Sequence, residues 1–125
     1  MMHCHLIFIT KYRGKILDCE VLGFMEKVMR DICQQFDVEL TEFNGESDHV
    51  HLLINYPPKV QISKLVNSLK GVSSRKIRQS FPAIKYHWTN KKSGSLWSPS
   101  YFAGSVGGAP LEVLKQYIEQ QDRPL

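Results

Sequence analysis

Two histidines one residue apart, His49 and His51, stand in the run Ser47-Asp48-His49-Val50-His51-Leu52-Leu53-Ile54-Asn55. On a β-strand successive side chains alternate, so both imidazoles project from one face while Val50, Leu52 and Ile54 project from the other. A single rigid element then offers two nitrogen donors side by side, a pattern suited to holding a metal ion. The same pattern describes two polar residues on the solvent side of a half-buried strand, and spacing alone leaves both readings open. Farther along, Tyr117 and Gln121 are four positions apart, which is one turn of a helix. If that helix docks on the histidine face, in its own subunit or in a partner's, two imidazoles and one neutral amide oxygen form an open site with room for water and a phosphate. A metal there polarises a phosphodiester. The tyrosine hydroxyl, whose free pKa is about 10, needs such help to act as a nucleophile. Its attack on phosphorus gives a phosphotyrosine, which conserves the bond for rejoining and suits strand transfer better than hydrolysis. Two imidazoles do not select the metal and accept zinc as readily as manganese.

The elements that must position these residues follow from periodicity. His5 to Tyr12 is rich in β-branched and aromatic residues and reads as a first strand. Lys11, Arg13 and Lys15 surround Gly14 in a basic loop. Between Cys19 and Phe36 the apolar residues Val21, Leu22, Met25, Val28, Met29, Ile32 and Phe36 recur at helical spacing. Val38 to Phe43 alternates again, and Asn44-Gly45 predicts a hairpin turn into the histidine strand. Tyr56-Pro57-Pro58 ends that strand. A second helix is expected from Gln61 to Ser80, and Leu96 to Val106 reads as a last strand with an irregularity at Pro99. Gly107-Gly108 is a joint, and Ala109-Pro110 opens a final helix. The order strand, helix, strand, strand, helix, strand predicts an α+β, ferredoxin-like (RRM-like) antiparallel sheet with helices on one face. The other face carries the histidines and needs a cover, for which the last helix is the candidate.

With 125 residues, one domain is expected over 1–125: a core over 1–106, the glycine joint at 107–108 and the last helix over 109–121. No apolar run is long enough to span a bilayer, so no membrane partner is expected, and a strand-like N-terminus predicts no secretory leader. Cys4, Cys19 and Cys33 are odd in number and widely spaced, which fits free thiols in a reducing cytoplasm. His3-Cys4-His5 imitates a metal site but falls at the terminus and is read as structural or incidental. The net charge of +4 favours an anionic partner such as nucleic acid. That charge is concentrated. The second helix carries Lys64, Lys70, Arg75, Lys76 and Arg78 among small hydroxyl residues, with no acid between Lys59 and its end. Single-sign charge with hydroxyls suits a phosphate backbone, so Lys70, Arg75, Lys76 and Arg78 are nominated for DNA contact on charge alone. Tyr86, His87 and Trp88 beside Lys91 and Lys92 suit stacking on unpaired bases, or the cover of a core edge.

His49-Val50-His51 resembles the His-hydrophobic-His (HUH) motif, and Tyr117 with Gln121 resembles the catalytic helix of the single-tyrosine HUH transposases of the insertion sequence 200/605 family. The stretches Lys70-Gly71-Val72-Ser73-Ser74-Arg75-Lys76-Ile77-Arg78 and Leu96-Trp97-Ser98-Pro99-Ser100-Tyr101-Phe102 resemble that family as well. The histidine pair alone is a weak motif, whereas the four blocks in this order, spanning His5 to Gln121, are specific. The resemblance implies a homodimer that cuts and rejoins single-stranded DNA at hairpin-bearing ends through a 5′-phosphotyrosine, with Mg²⁺ or Mn²⁺ as cofactor. It implies active sites built in trans, the histidine pair from one subunit and the exchanged tyrosine helix from the other. Carried onto this chain, it makes His49, His51 and Gln121 the metal ligands and Tyr117 the nucleophile. Tyr12, Tyr56, Tyr86 and Tyr101 lack a polar ligand one turn away on a hinged helix. A related protein that processes repetitive palindromic elements is the nearest alternative. A non-catalytic module for single strands or RNA is the alternative from another class, and such a module would place aromatics at the sheet centre, where His49 and His51 stand. A degenerate, inactive transposase is a further alternative, against which all four expected catalytic positions are filled.

Overall fold

The computed structural model describes residues 1–11, 14–84, 96–105 and 119. Six elements follow in the order β1 (Met2–Ile9), α1 (Cys19–Gln35), β2 (Glu39–Glu46), β3 (His49–Tyr56), α2 (Ile62–Ser80) and β4 (Phe102–Gly104). The strands form one antiparallel sheet in the order β2-β3-β1-β4. This is the ferredoxin-like arrangement expected from the sequence, with β3 and β1 at the centre. The joint at 107–108, the helix at 109–121 and the aromatic stretch at 86–88 lie outside the described residues.

Alternation divides the sheet cleanly. Cys4, Leu6 and Phe8 of β1, Leu40 of β2, and Val50, Leu52 and Ile54 of β3 share one core with Val21, Met25, Met29 and Ile32 of α1 and Leu65, Val66, Leu69 and Ile77 of α2. Both helices therefore cover the same face. The N-terminus of α1 is capped by Asp18, whose Oδ1 accepts from the Val21 amide at 2.9 Å, a contact worth about 1 kcal/mol. Arg30 ties α1 to β2 by donating to the Leu40 carbonyl at 2.6 Å.

Several boundaries differ from the sequence-based expectation. β1 begins at Met2 rather than His5, because its whole length pairs with β3, from Met2 against Tyr56 to Ile9 against His49. Asn44 and Gly45 do not turn; both lie inside β2, opposite His51 and Val50. The turn is Ser47-Asp48, held by neighbouring backbone: Leu17 donates to the Ser47 carbonyl at 3.0 Å and Thr10 to the Asp48 carbonyl at 2.9 Å. Gly45 has another use, since a Cβ there would meet Leu22 Cδ2 of α1 at 2.5 Å. The last strand shows the expected irregularity at Pro99, but its regular part, Phe102–Gly104, is shorter than expected. Thr10 bridges to Trp97 and Ser98 donates to Ile9, while regular pairing with β1 resumes only at Phe102–Gly104. No helix among the described residues is long and apolar enough to cross a membrane.

Candidate functional site

The register puts His49 and His51 on the face opposite the helices, together with Glu42, Asn44 and Glu46 of β2 and His5, Ile7 and Ile9 of β1. His49 lies between Glu46 and Ile9, and His51 between Asn44 and Ile7. Because β3 is paired on both sides, neither backbone position can move without breaking two ladders.

Each imidazole has its own partner. Asp48, itself buried, accepts from His49 Nδ1 at 2.9 Å. With its proton on Nδ1, His49 presents the Nε2 lone pair. That nitrogen lies 3.9 Å from Glu46 Oε2, whose side chain is exposed. The carboxylate is steadied through its backbone: the Thr10 hydroxyl lies 3.1 Å from the Asp48 carbonyl and 2.7 Å from the Gly14 carbonyl, one proton serving both. His51 Nε2 instead lies 2.7 Å from Nδ1 of His5, reached diagonally across β1 and β3, with ring centroids 4.9 Å apart. Burial pushes the His51 pKa down, the neighbouring His5 and His49 rings add to this, and the Glu42 carboxylate opposes it. The neutral imidazole, the form that ligates metals, is thereby favoured.

A divalent ion fits this donor set. Ligand atoms of Glu46, Asp48 and His49 lie within 4.8 Å of one another. His51 shares the face, but its Nε2 is turned toward His5. Tyr117 and Gln121 lie outside the described residues.

The basic helix divides into two populations. The ammonium of Lys70 donates to the carbonyls of Ser98 at 2.7 Å and of Pro99 and Ser100 at 3.3 Å, and sits 5.9 Å from the Tyr101 ring centroid. Its three donors hold the irregular segment after Trp97 against α2, and burial lowers its pKa. Arg78 donates to Ser74 Oγ at 3.0 Å, while its buried Nε meets no hydrogen-bond partner among the described residues. Lys70, Ser74 and Arg78 line a cavity of 260 Å³ with Trp97 and Ser98. Arg75 and Lys76 are exposed. All four lie on the helix layer, across the sheet from the histidines.

Sequence reasoning missed His5, Asp48 and Thr10. Two signals were available: Asp48 directly precedes the pair, and His5 shares the parity of His51 once β1 and β3 are recognised as antiparallel neighbours.

A family model described as "Transposase IS200 like" matches residues 1–121. The ISDra2 transposase TnpA of Deinococcus radiodurans is 36% identical over 118 residues, covering 94% of this chain and 81% of that protein. The transposase for insertion sequence element IS200 of Salmonella typhimurium is 28% identical over 117 residues, covering 94% of this chain and 74% of its own. Among solved structures, a transposase crystal structure from Deinococcus radiodurans superposes with a TM-score of 0.88 at 37% identity, covering 98% of this chain and 92% of the other. A REP-associated tyrosine transposase bound to a REP hairpin has the same fold, with a TM-score of 0.58 at 10% identity over 94% of this chain and 62% of its own. With a family match from end to end of the histidine-bearing sheet and a relative above one-third identity, the chain belongs to the IS200-like transposases of the IS200/IS605 family.

Proposed function

We propose that this chain is a metal-assisted, single-tyrosine HUH transposase that cleaves and rejoins single-stranded DNA at hairpin-bearing ends of its own element. The observation that carries this reading is the histidine face itself. Two imidazoles from one doubly paired strand lie there, and Asp48 holds one of them with Nε2 as its lone pair. His49, His51 and Gln121 would hold the ion, Mg²⁺ or Mn²⁺. When bound, the ion supplies Lewis-acid polarisation of the scissile phosphate.

The chain's own groups do the rest. The Tyr117 oxygen attacks phosphorus and displaces the 3′-oxygen of the neighbouring nucleotide. The phenolic proton passes to water and the departing oxygen takes one from water to leave as a 3′-hydroxyl, so protons balance and the 5′-phosphate remains on the tyrosine. A 3′-hydroxyl from another strand reverses the exchange and rejoins the DNA. The tyrosine helix docks on the histidine face, swung across a homodimer at 107–108 so that each site forms in trans. Arg75, Lys76 and Arg78 grip the phosphate backbone on the opposite layer, and Lys70 contributes by shaping the segment 98–100 beside them. The protein would act in the cytoplasm, where the DNA is. Action on an own element is favoured over palindromic-repeat processing by the 36% identity to an insertion-sequence transposase.

The test is a denaturing gel of labelled single-stranded hairpin DNA from the gene's flanks, incubated with Mg²⁺ or Mn²⁺. Wild type is expected to form a covalent adduct. Tyr117→Phe is expected to form none while binding the hairpin with unchanged affinity. An adduct with the variant would move the nucleophile to another tyrosine.

A further inference from the structure

We propose that His5 is a positioning residue for His51, deciding which nitrogen of the His51 ring carries the proton; the inference rests on the reading of His51 as a metal ligand. Two neutral imidazoles can share a hydrogen bond only if one gives N–H and the other a lone pair. The contact joins His5 Nδ1 and His51 Nε2 at 2.7 Å, so one of these two nitrogens holds the proton. If the proton is on His51 Nε2, Nδ1 of His51 is a lone pair free to ligate. If it is on His5 Nδ1, His51 carries its own proton on Nδ1 and has no free donor. The ligating state is therefore the first, with His5 as acceptor and its own proton on Nε2.

The two ligands are then set in opposite senses. Asp48 pins the proton of His49 on Nδ1, leaving Nε2. His5 pins the proton of His51 on Nε2, leaving Nδ1. This is the outer-layer orientation that metal-binding histidines generally need, supplied to one ring by a carboxylate and to the other by an imidazole. The alternative is that His5 merely packs. Its ring is tilted 35° to that of His51 at 4.9 Å, and a phenyl group would pack as well.

Two measurements separate these. Long-range ¹⁵N–¹H spectra of the metal-free protein, at a pH where imidazoles are neutral, report the protonated nitrogen directly. The expectation is Nε2–H for His51 and Nδ1–H for His49. Nδ1–H for His51 in the wild type would overturn the proposal with no variant needed. The second is Mn²⁺ affinity from the electron paramagnetic resonance of the free ion. His5→Phe keeps the ring shape and should weaken binding about tenfold, with loss of the His51 tautomer preference. His5→Asn places an amide oxygen near the Nδ1 position and should restore most of the affinity. Wild-type affinity and an unchanged tautomer in His5→Phe would show that the ring only packs. His49→Ala is the control for the underlying reading: if it too binds Mn²⁺ normally, the metal assignment fails, while the tautomer result still stands on its own.

Discussion

The histidine face and the basic helix carry the chemistry-bearing residues of this chain in contrasting ways. On the face, short side chains spring from a central strand paired on both sides, and Asp48 and His5 hold the two rings at 2.9 and 2.7 Å. On α2, long side chains of one sign divide according to what lies beside them. Among the described residues, Lys70 is bound to three carbonyls and Arg78 to one hydroxyl, and Arg75 and Lys76 are exposed. Chemistry at a phosphate needs groups fixed to within a fraction of an ångström, and a sheet interior provides that. Backbone gripping needs charge within reach, and flexible exposed cations suffice. Charge alone did not distinguish the two environments on α2, because Lys70 is spelled like Lys76 and differs only in its neighbours.

The sharpest break of this contrast is at His49. His49→Ala should lower metal-dependent cleavage by about a hundredfold or more, of the order seen when a group needed for catalysis is removed. Its thermal stability should stay close to wild type, because the ring is on the face away from the helix core. Retained cleavage with a lowered Tm would reverse the assignment and make the face structural. Lys70→Ala should behave in the opposite way. Removing a partly buried ammonium leaves three carbonyls without their shared donor, and urea unfolding should show a loss of about 1–2 kcal/mol. A variant as stable as wild type but weak on DNA would return Lys70 to the solvated cations. The smallest effect belongs to Lys76→Ala, which should leave stability unchanged. Hairpin affinity should fall a few-fold, and the slope of log K against log salt should flatten by about one unit. An unchanged slope would mean that this exposed charge touches no phosphate.

Much of this arrangement can be read in the string of residues. Alternation in β3 separates Val50, Leu52 and Ile54 from His49 and His51 without any knowledge of the fold, and the observed core contains the first three and excludes the other two. The helical spacing from Val21 to Ile32 likewise predicts the buried side of α1. Turn chemistry misled at Asn44-Gly45. The dipeptide favours a tight hairpin in isolation, yet a glycine is equally suited to a strand passing close beneath a helix, and Leu22 lies over Gly45. The backbone contacts that clamp Ser47-Asp48 come from Thr10 and Leu17, remote in sequence, so local preference could not reveal them. The contact of His5 with His51 was hidden for the same reason: its partner is 46 residues away.

By itself, the sequence determined the order of elements, the two faces of the sheet, the family blocks and the chemical types available for a phosphodiester reaction. These follow from periodicity and residue identity, which are local properties. Only the tertiary structure decided that Asp48 and His5 stand beside the two imidazoles, that the turn sits at Ser47-Asp48, and that the Lys70 ammonium meets the carbonyls of residues 98–100. Those outcomes depend on strand register and on which backbone carbonyls a folded chain brings within about 3 Å of a donor. Distance between remote residues is created by packing, and no spacing along the chain encodes it.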